Sequence, residues 1–175
     1  MAGSAGTRAE VIRIMSRSRQ VLVGVRDGWW VAAQIPLLAL AAFLPPWFPA
    51  AARNAADLCV RFAGAALLLI ASGMVLAASA SLGRYLTPFP RPRDNARLRE
   101  RGVYGLVRHP LYSGIILAAA GWSMWWLSWP GGVSMVLLGL FFDRKASYEE
   151  YWLSRTFESY ADYRARVRKL IPWIY

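Results

Sequence analysis

The sequence predicts an all-α, polytopic membrane protein with about four transmembrane helices, the last two paired as a helical hairpin. Hydrophobic residues make up 57% of the 175 residues, against roughly 45–50% in soluble proteins, and they are gathered in blocks. The 21 lysines and arginines flank those blocks and outnumber the 10 acidic residues. An interfacial helix is predicted before the first block, and a cytoplasmic helical tail after the last. By length, residues 1–175 form a single domain.

Residues 1–28 form a basic segment. From Glu10 to Val25, apolar positions recur at helical spacing with arginines between them. This pattern is typical of a helix lying in the headgroup layer, although a solvated basic tail explains it equally well. The segment lacks the apolar stretch of a secretory signal, so we expect no cleavage.

Residues 29–82 are predicted to hold two spans. The first runs from Trp29 to Leu44, closed by Pro45-Pro46, and is short beside the roughly 20 residues that cross a bilayer. The second, Leu58 to Leu82, is long enough to cross with tilt. Small residues four apart indicate a face for close helix contact, although an alanine-rich helix also gives this spacing by chance: Gly73, Ala77 and Ser81.

Residues 83–175 are predicted to carry the functional site. Three prolines between Gly83 and His109 exclude a continuous helix there. Two apolar segments follow, Leu111 to Leu127 and about Val133 to Phe142, separated by the turn 128–132. So short a turn predicts an antiparallel hairpin. The fourth helix is expected to continue into the water through residues 143–157.

The basic residues predict the topology. Five of the 21 lie in residues 1–28, seven in 83–109 and seven in 143–175. The positive-inside rule places all three segments in the cytoplasm, which needs an even number of spans. We therefore expect an integral protein of the inner or plasma membrane with both termini cytoplasmic. Because the arginines flank apolar runs, anionic lipid rather than nucleic acid is the expected counter-charge. The single cysteine, Cys59, excludes an internal disulfide and gives no metal-ligand spacing.

The candidate site centres on the segment RGVYGLVRHPLYSG, residues 101–114. Pro110 is predicted to open a helix, where its missing N–H costs nothing. The free N–H groups of that helix, beside Arg108 and His109, would seat a carboxylate or a phosphate. Tyr104 and Tyr112 bracket this seat. Taken singly, His109 is also typical of an interfacial residue, and Arg108 of an orientation signal.

A second polar cluster, Arg144, Lys145, Glu149 and Glu150, follows the hairpin. Because the chain turns once between the two clusters, they are expected to meet. Adjacent residues of a helix point about 100° apart, so Glu149 and Glu150 are not expected to serve one contact. One would face a ligand while the other pairs with a base such as Lys145. Alternatively, both acids simply neutralise neighbouring arginines.

The string GVYGLVRHPLYSG, the apolar hairpin and EEYWLSRTFESYADYRARVRKLIP together resemble the isoprenylcysteine carboxyl methyltransferase and phospholipid methyltransferase superfamily of membrane enzymes. The resemblance covers residues 82–172. In one departure, Glu158 follows Phe157 where the family usually has glycine, and the tail is one residue shorter before Tyr160, so the turn there is expected to differ. The residues that match the family pattern are Gly102, Tyr104, Arg108, His109, Pro110, Tyr112, Gly114, Glu149, Glu150, Leu153, Phe157, Tyr160, Tyr163, Val167 and Pro172.

The resemblance implies that S-adenosylmethionine is the methyl donor, S-adenosylhomocysteine the product, and no metal is needed. It implies a donor pocket built by the third and fourth helices and the tail, and a lipophilic acceptor arriving through the bilayer. His109, Arg108 and the helix N-terminus, including Pro110, would hold the donor carboxylate. The donor's amino group or ribose would contact Glu149 or Glu150, and its adenine or methylsulfonium would contact Tyr104 and Tyr112. We expect His109, Arg108 and Glu149 to be catalytic.

Three questions stay open at this point. A prenylcysteine carboxylate is already nucleophilic, whereas a phospholipid amine needs a base such as His109 or a glutamate. A sterol-reductase-like enzyme that uses NADPH is an alternative, because such enzymes are similar to this superfamily in their C-terminal half. A non-catalytic membrane module that binds anionic lipid through its basic face also fits the composition, but it does not need the paired Arg-His-Pro and Glu-Glu motifs.

Overall fold

The computed structural model describes residues 27–92 and 97–175, and within those ranges the chain is helical with no β-strand. The all-α prediction is therefore confirmed there, while the predicted interfacial helix of residues 10–25 lies outside the described residues. The helices are α1 (Asp27–Trp47), α2 (Ala55–Leu82), α3 (Val103–Leu106), α4 (Pro110–Trp125), α5 (Trp129–Thr156) and α6 (Tyr160–Arg166), with a 3₁₀ turn (Gly83–Tyr85) after α2.

Two helices of the described residues are long and apolar enough to cross a membrane, Asp27–Trp47 and Ala55–Tyr85. At 1.5 Å per residue the first measures about 31 Å, close to the hydrocarbon thickness. Helix α4 has 16 residues and measures only about 24 Å. The crossing of the α4–α5 hairpin, and with it the four-span topology, stays a prediction.

Helix α1 does not end at Leu44, so the predicted closure by the proline pair is wrong. It runs to Trp47 because the rest of the protein compensates for the missing donors. Pro46 removes the N–H that would bond the Ala42 carbonyl, and the indole Nε1–H of Trp122 donates to that carbonyl instead, at 2.8 Å. Such substitution by a neighbouring helix lets prolines persist within apolar helices.

Helices α2 and α4 pack closely through small residues seven apart. Gly64, Ala71 and Ala78 are the buried positions of α2. A Cβ on Gly64 would lie 2.6 Å from the Gly121 carbonyl oxygen of α4, so only glycine fits there. The predicted contact face is wrong: nothing lies within 4 Å of a Cβ on Gly73. The predicted row of residues four apart and the observed row of residues seven apart lie on different faces of α2. The antiparallel α4 packs against the face with residues seven apart.

Helix α5 begins earlier than predicted, within the supposed turn. Ser128 caps it by accepting a hydrogen bond from the Gly131 N–H at 3.3 Å, and Pro130 occupies the first turn, where a proline is tolerated. The reversal itself falls at residues 126–128, with Leu127 at φ 51°. The antiparallel hairpin is confirmed, and α5 continues unbroken to Thr156, as expected. The second half of the hairpin and the second polar cluster thus lie on the same continuous helix.

The tail folds back beside the junction of α3 and α4. Val107 and Arg168 form a parallel bridge, and the N–H groups of Arg108 and His109 donate to the carbonyls of Arg168 (2.8 Å) and Lys169 (3.2 Å). The Lys169 ammonium in turn donates to the Asp143 carbonyl (3.0 Å) and to the Ser147 hydroxyl (2.7 Å) on α5. The tail therefore fixes the backbone of the Arg-His pair against α5.

Candidate active site

The Arg108 side chain ties three segments together. Its Nε donates to Glu150 Oε1 on α5 at 2.8 Å, and its Nη1 donates to the carbonyls of Arg164 (3.2 Å) and Val167. A guanidinium presents its donors in a rigid fork, so these bonds fix its orientation. Two of its three nitrogens are committed to holding α5 against the tail.

His109 is 5% exposed and lies between the two acids. Its Nε2 is 3.2 Å from Glu150 Oε1, and its Nδ1 is 3.6 Å from Glu149 Oε2. The prediction that the two glutamates cannot serve one contact is therefore wrong. Their side chains do leave α5 in different directions, but the imidazole lies between those directions and offers one nitrogen to each. The expected meeting of the His109 and Glu149-Glu150 motifs is confirmed.

The two glutamates have different surroundings. The side chain of Glu150 is 6% exposed, and that of Glu149 is 28% exposed. Burial pushes the pKa of Glu150 up, but hydrogen bonds from His109 and Arg108 outweigh burial and hold that pKa at about 2. Glu150 is thus a buried anion with its partners in place. Glu149 accepts a hydrogen bond from the Tyr112 hydroxyl at 2.8 Å and keeps a free approach from the solvent.

The two tyrosines of the motif lie on either side of His109 along the chain. The Tyr112 ring stacks on His109 (centroids 5.5 Å apart) and on Phe142 (4.7 Å). Tyr104 is buried, and its carbonyl accepts a hydrogen bond from the Tyr163 hydroxyl at 2.7 Å. Burial, helped by the nearby charge of Glu149, raises the pKa of Tyr104. The Tyr112 ring therefore lies against the imidazole, and both tyrosines line the same cleft as His109.

These side chains open onto one cleft, which has a volume of about 860 Å³ with its open mouth included. One part of the wall is polar or aromatic and contains Tyr104, Arg108, His109, Tyr112 and Glu149. The apolar residues of the wall include Leu82, Phe89, Leu111, Leu153 and Phe157. The cleft thus combines charged, aromatic and aliphatic side chains.

Comparison with known proteins identifies the family. The sequence pattern of the phospholipid methyltransferase family matches residues 60–160, more than half of the chain. The chain belongs to this family. The matched residues contain Arg108, His109, Glu149 and Glu150, so the polar wall of the cleft is part of the family's shared region.

Individual relatives point to the same superfamily. The chain is 31% identical over 119 residues to a probable protein-S-isoprenylcysteine O-methyltransferase of Oryza sativa subsp. indica, covering 66% of the chain and 62% of the relative. It is 29% identical over 114 residues to protein-S-isoprenylcysteine O-methyltransferase B of Arabidopsis thaliana, covering 62% and 58%. The chain therefore spans about three fifths of the length of these curated relatives.

Outside the region that matches the family pattern, α1 supports the loop 86–92, and residues of that loop line the cleft. Asp27 pairs with Arg91 at 2.6 Å, and the Arg91 guanidinium lies over the Trp152 ring, 3.9 Å from its centroid. The Lys145 ammonium donates to the Pro88 carbonyl at 2.8 Å and to Gln34. The suggested pairing of Lys145 with a glutamate is therefore wrong, and Lys145 instead fastens the loop 86–92 to α1 and α5. Arg144 is exposed and does not line the cleft.

Several cleft residues were not singled out from the sequence. Tyr85, Phe89, Arg91, Arg97 and Arg99 line the cleft from the segment between α2 and α3. From the sequence, these arginines indicate only the topology, because a charge count does not show which basic residues turn inward. The sequence signal that marks this loop was its three prolines, which give the segment an irregular path from which it can cover the site.

Proposed function

We propose that this protein is a methyltransferase that moves a methyl group from S-adenosylmethionine to a lipophilic acceptor at the cytoplasmic face of a membrane. One observation carries the proposal: His109 and Glu149, 40 positions apart in the sequence, line a single cleft whose wall also contains apolar side chains. Membership of the phospholipid methyltransferase family supports the same reaction class.

The residues present fit the donor. It carries a carboxylate, an ammonium, a ribose, an adenine and a sulfonium, and the cleft offers a partner of suitable chemistry for each. In our proposal His109 and the N-terminus of α4 bind the carboxylate, and Glu149 attracts the ammonium or the ribose hydroxyls. Tyr104 and Tyr112 contact the adenine or the methylsulfonium. Arg108 and Glu150 bind each other and so position His109 from behind.

The donor supplies an electrophilic methyl group when bound. An acceptor oxygen or nitrogen attacks the methyl carbon while the carbon–sulfur bond breaks and its electron pair stays on sulfur. The contribution of this chain is then alignment and the exclusion of water. The names of the plant relatives favour a prenylcysteine carboxylate as acceptor, which needs no base. A phospholipid amine would have to lose a proton first, and His109 and Glu149 are the groups placed to accept it.

We also propose that α1, α2, α4 and the first half of α5 cross the membrane, with both chain ends in the cytoplasm. Exposed aromatic rings gather at the end of the bundle away from the cleft: Trp47, Phe48, Trp125 and Trp129. Tryptophan is enriched at membrane interfaces, so this end fits the outer boundary. The hairpin then extends from that boundary to the cleft on the cytoplasmic side.

Cysteine labelling tests this topology. In a Cys59→Ser background, Ala51→Cys lies in the exposed loop between α1 and α2, and Glu158→Cys lies beyond α5. In sealed right-side-out vesicles we expect a membrane-impermeant maleimide to label position 51 and leave position 158 unlabelled until the vesicles are opened. Labelling of position 158 from outside would contradict the proposed orientation.

Ligand titration tests the reaction class. With the full chain in detergent, isothermal titration calorimetry should show binding of S-adenosylmethionine and S-adenosylhomocysteine. Glu149→Gln is expected to weaken that binding by about 10-fold or more, because a hydrogen bond to a charged group contributes about 1.5–3 kcal/mol. Glu158→Gln is the matched control, since Glu158 is exposed and lies outside the cleft.

The same titration distinguishes the alternatives. Binding of NADPH without binding of either sulfur compound would point to reductase chemistry, and binding of none of the three would point to a non-catalytic module. A methyl-transfer assay with a prenylcysteine carboxylate and with phosphatidylethanolamine then separates the two acceptors.

A further inference from the structure

A second cleft lies on the reverse side of the Arg108–Glu150 pair, between α5 and the tail. Both members of the pair line it, together with Ser154, Arg164 and Arg168. It shares only Arg108 with the first cleft, which neither Glu150 nor Arg168 lines. Nothing in the proposed methyl transfer uses this space.

The second cleft carries a surplus of positive charge. Glu150 is already held by Arg108 and His109, and Lys169 pairs with Asp143 at 2.5 Å. Arg164 is 61% exposed and only 3.6 Å from Glu150 Oε2, and Arg168 is exposed. Among the residues that the structure describes, no acid forms a salt bridge with Arg168. Arg164 therefore shares Glu150 with two other basic side chains, and Arg168 stands at the rim with its charge available to an anion.

Apolar side chains border the same cleft. Ile174 lines it, and the neighbouring Trp173 is 85% exposed. Trp173 has φ 61°, a conformation that is unfavourable for a bulky residue. The backbone bonds between Ile171 and Tyr175, at 2.7 and 3.0 Å, hold this turn, and the Tyr175 hydroxyl donates to Asp143 at 2.9 Å. The tail thus holds Trp173 in a strained backbone conformation with its side chain outside the protein.

The second cleft begins at the cytoplasmic edge of the headgroup layer. Ser147, at one end of the cleft, follows the last residue of the predicted fourth span, Phe142, by five residues, which is about 8 Å along α5. The headgroup layer of one leaflet is about 5–8 Å thick. Arginines beside an exposed tryptophan and isoleucine at this edge complement a lipid that has an anionic head and an apolar body.

We infer that the second cleft binds an anionic phospholipid of the cytoplasmic leaflet, with its phosphate on Arg164 and Arg168 and its apolar part against Trp173 and Ile174. This inference rests on the proposed membrane placement and not on methyl transfer. The bound lipid would lie against the tail that fixes His109. Lipid binding would therefore also affect the position of His109 in the first cleft.

Native mass spectrometry of the full chain in detergent tests the inference, with phosphatidylglycerol, phosphatidylcholine and inorganic phosphate as probes. Each basic residue near an anionic surface strengthens binding about fivefold. We therefore expect phosphatidylglycerol to bind about 25-fold more tightly than phosphatidylcholine. Arg168→Glu should remove about that factor, and Arg168→Lys should retain most of it. Trp173→Ala should weaken both lipids and leave their ratio unchanged.

Arg144→Glu is the matched control, because Arg144 is an exposed arginine on α5 outside the second cleft. An equal loss in Arg144→Glu and Arg168→Glu would show attraction to overall charge and would overturn the site. Inorganic phosphate that binds as tightly as phosphatidylglycerol would show a free-phosphate site and would also overturn it. Loss of phosphatidylglycerol binding in Arg168→Glu alone supports it, whatever the outcome of the S-adenosylmethionine titration.

Discussion

Replacing Glu150 by alanine is expected to lower the thermal unfolding midpoint of the detergent-solubilised protein by about 6–20 °C. The substitution removes the carboxylate that accepts from Arg108 Nε at 2.8 Å and lies 3.2 Å from His109 Nε2. Breaking a buried ion pair from one side costs about 3–5 kcal/mol, and 1 kcal/mol corresponds to about 2–4 °C in a chain of this size. Differential scanning fluorimetry measures the shift.

Glu149→Gln is the control for this prediction, because it should leave the unfolding midpoint almost unchanged. Glu149 is partly exposed and opens on the first cleft, so its loss should leave the midpoint within about 2 °C of the wild type, as for other surface changes of about 0.5 kcal/mol. It should instead weaken donor binding. An unchanged midpoint in Glu150→Ala would contradict the positioning role that we propose for the Arg108–Glu150 pair.

The pH dependence provides a second measurement on the same pair. The pKa of Glu150 is lowered from its usual 4.5 to about 2 in the folded chain. A carboxylate with a lowered folded pKa contributes stability that is present above its unfolded pKa and is lost as pH falls toward the folded one. The difference in midpoint between the wild type and Glu150→Gln should therefore be constant above about pH 4.5 and shrink between about pH 4.5 and 2. A difference that grows in that interval would contradict the assignment.

Local patterns were enough to predict the features that position the site. Pro110 opens α4, and α5 continues unbroken past Asp143 to Thr156, because proline placement and a run of helix-forming residues act over a few positions. The meeting of His109 with Glu149 and Glu150 followed from connectivity alone, since the hairpin leaves little freedom to residues just beyond its two open ends.

Apart from the start of α5, which Ser128 caps locally, the errors concern contacts between residues far apart in the chain. The end of α1 depends on a Trp122 indole 80 positions away from Ala42, and the contact face of α2 depends on where the glycines of α4 fall. The sharing of His109 by both glutamates depends on the imidazole lying between two side-chain directions. Helical periodicity gives the directions of side chains on one helix, but it does not give the position of a partner helix relative to them.

Replacing Gly64 by alanine is expected to lower the unfolding midpoint by about 2–12 °C. A Cβ at this position would lie 2.6 Å from the Gly121 carbonyl oxygen and 2.9 Å from the Trp125 nitrogen. Both are backbone atoms, so a rotamer change cannot relieve the contact and α4 must move. Overpacking of this kind costs about 1–3 kcal/mol, equivalent to the stated shift at about 2–4 °C per kcal/mol. Scanning fluorimetry in the same detergent provides the measurement.

Gly73→Ala on the same helix is the matched control, and its effect should have the opposite sign. Nothing lies within 4 Å of a Cβ on Gly73, so alanine removes only the conformational freedom of glycine and should raise the midpoint by about 1–4 °C, or about 0.5–1 kcal/mol.

The double variant Gly64→Ala with Gly121→Ala should lose less stability than the sum of the single losses, because both methyl groups push apart the same two backbones. Additive losses would indicate two independent contacts instead. Since His109 is the N-cap of α4, a displacement of the far end of this helix should also weaken donor binding in Gly64→Ala, while Gly73→Ala should bind as the wild type does.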